Sequence, residues 1–190
     1  MIKRADTSVE LHPLIAERWS PRAYDESATI SADDLTAIFE AARWAPSAFN
    51  AQPWKFVLGI RGDENFKTIS SFLVDFNKQW APKASALILV NALTLREDGK
   101  ENPTALYDTG LAVSLLTLEA NHRGFDVHQM SGFDNSIAKA KFPLGAGIEP
   151  ITCIAIGKRT SPDSLPEEIK VREVATRSRK SLDEIVNITW

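Results

Sequence analysis

The alternation of apolar and polar positions divides the chain into helical and extended stretches. Leu35, Ile38, Phe39 and Ala42 recur at helical spacing and give one apolar face, with Ser31 as the N-cap and a stop near Trp44. Thr7-Ser-Val-Glu10 has the capping-box pattern and predicts an earlier helix to about Trp19, closed by Pro21. Residues 55–60 read as a strand, 65–80 as one aromatic-rich helix bounded by Pro82, and 86–90, nearly all apolar, as a strand covered on both faces. Residues 104–123 predict a long helix with Leu111, Leu115 and Leu118 on its buried side and Gly124 as its stop. Gly110 inside it costs about 1 kcal/mol relative to Ala, which points to a closely packed neighbour. A strand at 125–130, a short helix at 134–141 and an apolar strand at 151–156 follow. Residues 95–103 form a polar loop and candidate lid, 161–166 a turn-rich linker, and 167–190 a charged tail with an apolar end at Trp190. Helices alternate with strands and nothing repeats, so the class is α/β or α+β in one domain, with helices over a central sheet.

Composition narrows the function. A chain of 190 residues with 44% hydrophobic and 25% charged residues is ordinary globular material, able to bury roughly 70% of its unfolded surface. The net charge of −3 supplies no basic field for nucleic acid. No apolar run approaches a membrane span, and the first residues lack the apolar core of a signal peptide. Cys153 is the only cysteine, which excludes an intrachain disulfide and fits a reducing cytoplasm. It lies in an apolar strand as an inert core thiol. His12, His122 and His128 share no ligand spacing with one another or with Cys153, so no metal site is expected. Neither Ser20 nor Ser47 has a His-and-acid set nearby, and there is no GxGxxG or Walker pattern.

Three stretches could carry chemistry. Ala45-Pro-Ser-Ala-Phe-Asn-Ala-Gln-Pro-Trp-Lys-Phe56 joins a helix to a strand with rigid backbone, small residues and short polar side chains. Such a loop suits a planar ligand with polar edges, and equally an ordinary proline-containing connection. Arg18 and Arg22 flank Ser20, and Arg177, Arg179 and Lys180 form a second basic cluster. Two such clusters could close on one phosphate, or remain solvated charge. His128-Gln-Met-Ser-Gly-Phe-Asp134 is a strand end, a small turn and a helix start, where free N–H groups attract an electron-rich acceptor.

Together these motifs resemble the nitroreductase family of FMN-dependent oxidoreductases. Pro46-Ser47-x-x-Asn50-x-Gln52-Pro53-Trp54-x-Phe56 is similar to its signature, and Arg18-x-Ser20-x-Arg22-x-Tyr24 to its first FMN-phosphate motif, in the family's order and spacing. The resemblance implies an α+β fold with a mixed, mainly antiparallel sheet, and an intertwined homodimer in which both subunits line each of two pockets. It assigns Arg18, Trp19, Ser20 and Arg22, with Arg177 and Arg179, to the FMN phosphate; Lys158 and Arg159 are the alternative late pair. It assigns Pro46, Ser47, Asn50 and Asn77 to the flavin, with Gln52 a weaker candidate, and Gln129, Met130, Ser131 and Gly132 to the turn beside flavin N5. Many relatives carry an acidic residue where Ser131 stands, which leaves substrate preference open. Trp80 and Phe133 are the candidates for an acceptor channel. The implied reaction is ping-pong: non-covalent FMN takes hydride at N5 from NAD(P)H and passes it to a nitro compound, a quinone or a related acceptor, so no catalytic side chain is expected. Dehalogenation, ene reduction, flavin fragmentation or a flavin-binding redox sensor without turnover are the alternatives, and a structural module without flavin is a further one. The apolar end at 183–190 is expected to pack on the partner subunit.

Overall fold

A computed structural model describes residues 3–187. The first helix, α1 (Pro13–Glu17), starts later than the capping-box pattern predicts. Proline fits the first helical turn, where its missing N–H costs nothing, so Pro13 sets the start and His12 becomes the N-cap. The Thr7 hydroxyl donates instead to the Val9 carbonyl at 2.7 Å. The helix stops before Arg18, whose backbone is extended. In α2 (Ala32–Arg43), Ser31 caps as expected, accepting from the Asp34 N–H at 3.0 Å, and Leu35, Ile38 and Ala42 are buried.

Four strands, β1 (Trp54–Ile60), β2 (Ala86–Leu93), β3 (Asp126–Met130) and β4 (Ile148–Gly157), form a sheet in the order β1-β2-β4-β3. All three pairings are antiparallel. Strand β2 is central and buried along almost its whole length, as its apolar run predicts. Side chains alternate across the sheet. Leu87, Leu89, Cys153 and Ala155 face a cluster containing Tyr24, Phe66, Ile69, Trp80 and Ile169. Ile88, Val90, Ile154 and Ile156 face Leu35 and Ile38 of α2 and the apolar face of α5 (Ala105–His122). The sheet thus has a core on each side, in an α+β arrangement.

The face that α5 buries is not the expected one. Ala112, Val113, Leu116 and Ala120 face the core, while Leu111, Leu115 and Leu118 are half-buried on its flank. Small residues allow the close approach of α2, so the alanines outrank the longer leucines at the contact. Gly110 is exposed, and a Cβ built there would meet nothing within 4 Å, so the closely packed neighbour expected of it is not found among the described residues.

Two further expectations need correction. The single helix over 65–80 is broken into α3 (Glu64–Ser71) and α4 (Asp75–Lys78). The break pairs with the turn after β3: the Val74 N–H donates to the Gly132 carbonyl at 3.0 Å, and the Asp134 N–H to the Phe72 carbonyl at 2.8 Å. The charged tail begins as a packed helix, α7 (Glu167–Val174), which buries Ile169 and Glu173. Between β3 and β4 lies the expected short helix, α6 (Asn135–Lys141), with Asp134 as its N-cap. The last described helix, α8 (Leu182–Ile185), has a Ser181/Glu184 capping box. Trp190 lies outside the described residues. Among those residues no helix is long and apolar enough to cross a membrane.

Candidate functional site

The segment after α1 runs extended from Arg18 and is fixed from two sides. On one side the His128 Nδ1 lies 2.9 Å from the Pro21 carbonyl. A carbonyl only accepts, so the neutral imidazole carries its proton on Nδ1. Burial pushes the His128 pKa down to about 4, against the pull of that carbonyl. On the other side, the buried Glu173 carboxylate of α7 accepts from the Arg22 N–H at 2.9 Å and from the Ala23 N–H at 3.2 Å. It also meets the Arg22 guanidinium at 3.7 Å.

The early and late basic segments come together at the end of α1. Arg18 is half-buried, and its pKa is lowered by burial and then by the charges of Arg177 and Arg179. No carboxylate pairs with Arg18 among the described residues. Arg177 donates to the carbonyls of Lys3 at 2.6 Å and Ala16 at 2.7 Å, which ties the late segment to α1. Arg179 is exposed and, among the described residues, bonds only to its neighbour, the Ser178 carbonyl, at 2.7 Å. The alternative late pair already has partners, although Arg159 also borders Trp19. Arg159 pairs with Asp126 at 3.5 Å, and Lys158 lies 5.7 Å from the Phe125 ring. Arg22 is set apart from Arg18: burial lowers its pKa and Glu173 opposes the shift. Ser20 is half-buried beside His128.

Buried donors without acceptors mark the same region. Trp19 Nε1, Arg22 Nε and Trp80 Nε1 have no hydrogen-bond partner among the described residues. Arg22 lies 6.0 Å from the Trp80 ring centroid. Lys3 lies 4.4 Å and Arg159 5.7 Å from the Trp19 ring. A donor-rich, cation-rich site of this kind fits an anionic ligand with many acceptor atoms.

The turn after β3 adjoins Asn77. The Asn77 Nδ2 donates to the Gly132 carbonyl at 2.9 Å, and a Cβ on Gly132 would lie 2.7 Å from that nitrogen. Gln129 is held by the Thr117 hydroxyl at 2.8 Å, Met130 is buried in the core, and Ser131 is exposed. Phe133 packs at the core's edge, 6.2 Å from Phe72. Trp80 does not fit the acceptor channel expected of it. It has no exposed surface and lies stacked between Tyr24 and His128 at 6.3 and 4.5 Å. The aromatic pattern of 65–80 could not distinguish a channel wall from a core residue.

The loop between α2 and β1 is separate and outward-facing. Pro46 and Asn50 are exposed, and Ser47 is half-buried. Ala48 N–H donates to the buried Asp108 of α5 at 3.2 Å, and Gln52 N–H to the Ser47 Oγ at 3.0 Å, so Gln52 pins the loop. Phe49, Asn50 and Gln52 all have positive φ (54°, 55° and 47°), a conformation uncommon for residues with side chains. Phe49 is 97% exposed.

The Nitroreductase family model matches residues 15–67, a span from the basic segment through this loop to α3. A solved structure described as an oxidoreductase containing FMN superposes with a TM-score of 0.90 at 32% identity, over 95% of this chain and 92% of that one. The chain belongs to the nitroreductase family. An uncharacterised protein from Mycolicibacterium smegmatis is 34% identical over 142 residues, 69% of this chain and 92% of that protein. The oxygen-insensitive NADPH nitroreductase of Helicobacter acinonychis is 40% identical over 81 residues, 42% of this chain and 37% of that one.

Sequence reasoning missed Lys3 and Glu173 around this basic site, and the hold of His128 on the Pro21 carbonyl. Lys3 donates to the carbonyls of Glu173 and Ala175 at the C-terminal end of α7. Glu173 was detectable as an acid four residues after Ile169 on one helix face, but only once α7 is read as a helix.

Proposed function

We propose that this nitroreductase is an FMN-containing, NAD(P)H-dependent oxidoreductase acting on nitro compounds, quinones or related small acceptors. One observation carries the cofactor assignment: the Arg177 guanidinium donates to the Ala16 carbonyl, two residues before Arg18, so both basic segments lie at the end of α1, and no carboxylate pairs with Arg18 among the described residues. The orphaned donors of Trp19 and Arg22 belong to the same segment. The names of the FMN-containing neighbour and the NADPH nitroreductase relative agree with this reading.

The residues divide the work. Arg18 and Arg179 hold the phosphate, and Arg177 anchors the late segment with its two carbonyl bonds. Ser20 and Trp19 would complete the phosphate end, and the unpaired Nε of Arg22 would offer a further donor beside it. Asn77 and the backbone of residues 129–132 form the wall along the ring. When bound, FMN supplies hydride acceptance from NAD(P)H and delivery to the acceptor in a ping-pong exchange. The protein's part is position, charge and exclusion of water.

A second copy of the chain completes the pocket. Pro46, Ser47 and Asn50 lie on a loop whose strained, exposed backbone presents Phe49 to solvent. Leu106, Tyr107 and Gly110 form an exposed apolar stripe on α5, and Leu182, Ile185 and Val186 leave further apolar surface uncovered at the tail. An intertwined homodimer would cover these surfaces and bring each loop to the partner's site.

Arg18→Ala is the decisive variant. We expect it to purify with little FMN, with riboflavin affinity unchanged because riboflavin lacks the phosphate. Undiminished FMN content would remove the assignment. Steady-state NADPH consumption with nitrofurazone or menadione then separates an enzyme from a sensor, which would stop after one turnover.

A further inference from the structure

We infer that Glu173 is a positioning residue for the cofactor phosphate, which rests on the FMN reading above. A carboxylate beside an anion site should repel the anion, yet Glu173 is only 3% exposed and lies on that segment. The geometry resolves the conflict. Both carboxylate oxygens point at the Arg22 N–H, at 2.9 and 3.0 Å, and one also receives the Ala23 N–H at 3.2 Å. The charge is spent on two backbone donors and the Arg22 guanidinium at 3.7 Å.

The consequence is a fixed backbone. Residues 21–23 have no helix or sheet partner for these N–H groups, and free N–H groups here would compete for the phosphate or for water. The opposite edge of the same turn is held by His128 at the Pro21 carbonyl. Clamped from both sides, the segment presents Arg18 and Ser20 in one orientation.

The same helix end also places the late arginines. Lys3 caps the carbonyls of Glu173 and Ala175, and the Lys3 carbonyl in turn receives Arg177. Glu173 therefore sits where α7, the chain's start and the basic segment are joined. Its carboxylate contacts only backbone N–H groups and the Arg22 guanidinium among the described residues, so the effect expected of it is on phosphate binding and not on chemistry.

Flavin-stripped, full-length protein titrated with FMN and with riboflavin tests this, the readout being the ratio of their Kd values. Glu173→Ala should weaken FMN binding by about 10-fold or more, the scale of a lost charge-assisted contact, while riboflavin is little changed. Glu173→Gln keeps an oxygen for both N–H groups and should fall between Glu173→Ala and the native protein. A purely structural role would weaken both ligands together and leave the ratio unchanged, which overturns the inference. Glu173→Ala also removes packing, so the isosteric Glu173→Gln carries the test by itself: a ratio equal to the native one in a folded Glu173→Gln protein, with Glu173→Ala unfolded, also overturns it. Arg18→Ala separates the two levels. If Arg18→Ala collapses the ratio and neither Glu173 variant shifts it, this inference alone fails. If Arg18→Ala also leaves the ratio intact, the phosphate reading fails and takes this inference with it.

Discussion

A single methyl group at Gly132 would meet two side chains, lying 2.7 Å from Asn77 Nδ2 and 2.8 Å from Val74 Cγ2. Neither can easily retreat, because Asn77 is bonded to the Gly132 carbonyl and the Val74 N–H to the same oxygen. Gly132→Ala should therefore destabilise the protein by about 1–3 kcal/mol, as overpacking does, measured as the shift in urea midpoint at constant slope. His128 supplies a pH signature. Its folded pKa of about 4 lies below the ordinary 6.5, so the unfolded chain binds a proton that the fold refuses. The contribution is present above the unfolded pKa and is lost as pH falls from about 6.5 towards 4, amounting to about 3 kcal/mol at most. Urea unfolding across that range should show the loss, and His128→Asn, which keeps a donor for Pro21, should flatten it.

Elements with strong periodicity and a clear cap were legible from sequence. Ser31 and the Leu35/Ile38/Ala42 face gave α2, and the unbroken apolar run gave β2 as the covered central strand. Ser31→Ala should cost about 1 kcal/mol through loss of the cap, lowering Tm without changing FMN content. The misread elements were decided by distant partners. Residues 65–80 have helical pattern throughout, yet backbone bonds to 132–134 divide them, and no local signal reports such bonds. Residues 167–174 looked like solvated charge because only Ile169 and Glu173 face inward. The site was legible in the same uneven way. Motif order brought Arg18 and the late arginines into one reading, whereas Lys3, Glu173 and the core position of Trp80 depend on three-dimensional packing.

At the scale of the whole molecule, the exposed stripe on α5 has a specific consequence. Gly110 meets nothing among the described residues, so Gly110→Trp leaves their packing intact in an isolated chain. In the proposed homodimer the same indole would prevent close contact between subunits. We expect that variant to elute as a monomer with lowered FMN content while keeping its secondary structure; a dimer with full cofactor would move the interface away from α5. Removal of residues 183–190 tests the tail in the same way, with reduced dimerisation expected.

The central claim is that segments near residues 18, 50, 77, 130 and 177 serve one flavin nucleotide. Visible absorption of the purified full-length chain, followed by anaerobic NADPH addition, tests it most directly. The account predicts stoichiometric FMN whose oxidised absorption bands bleach with NADPH and return with menadione. A colourless protein that takes up no FMN when it is supplied would contradict it.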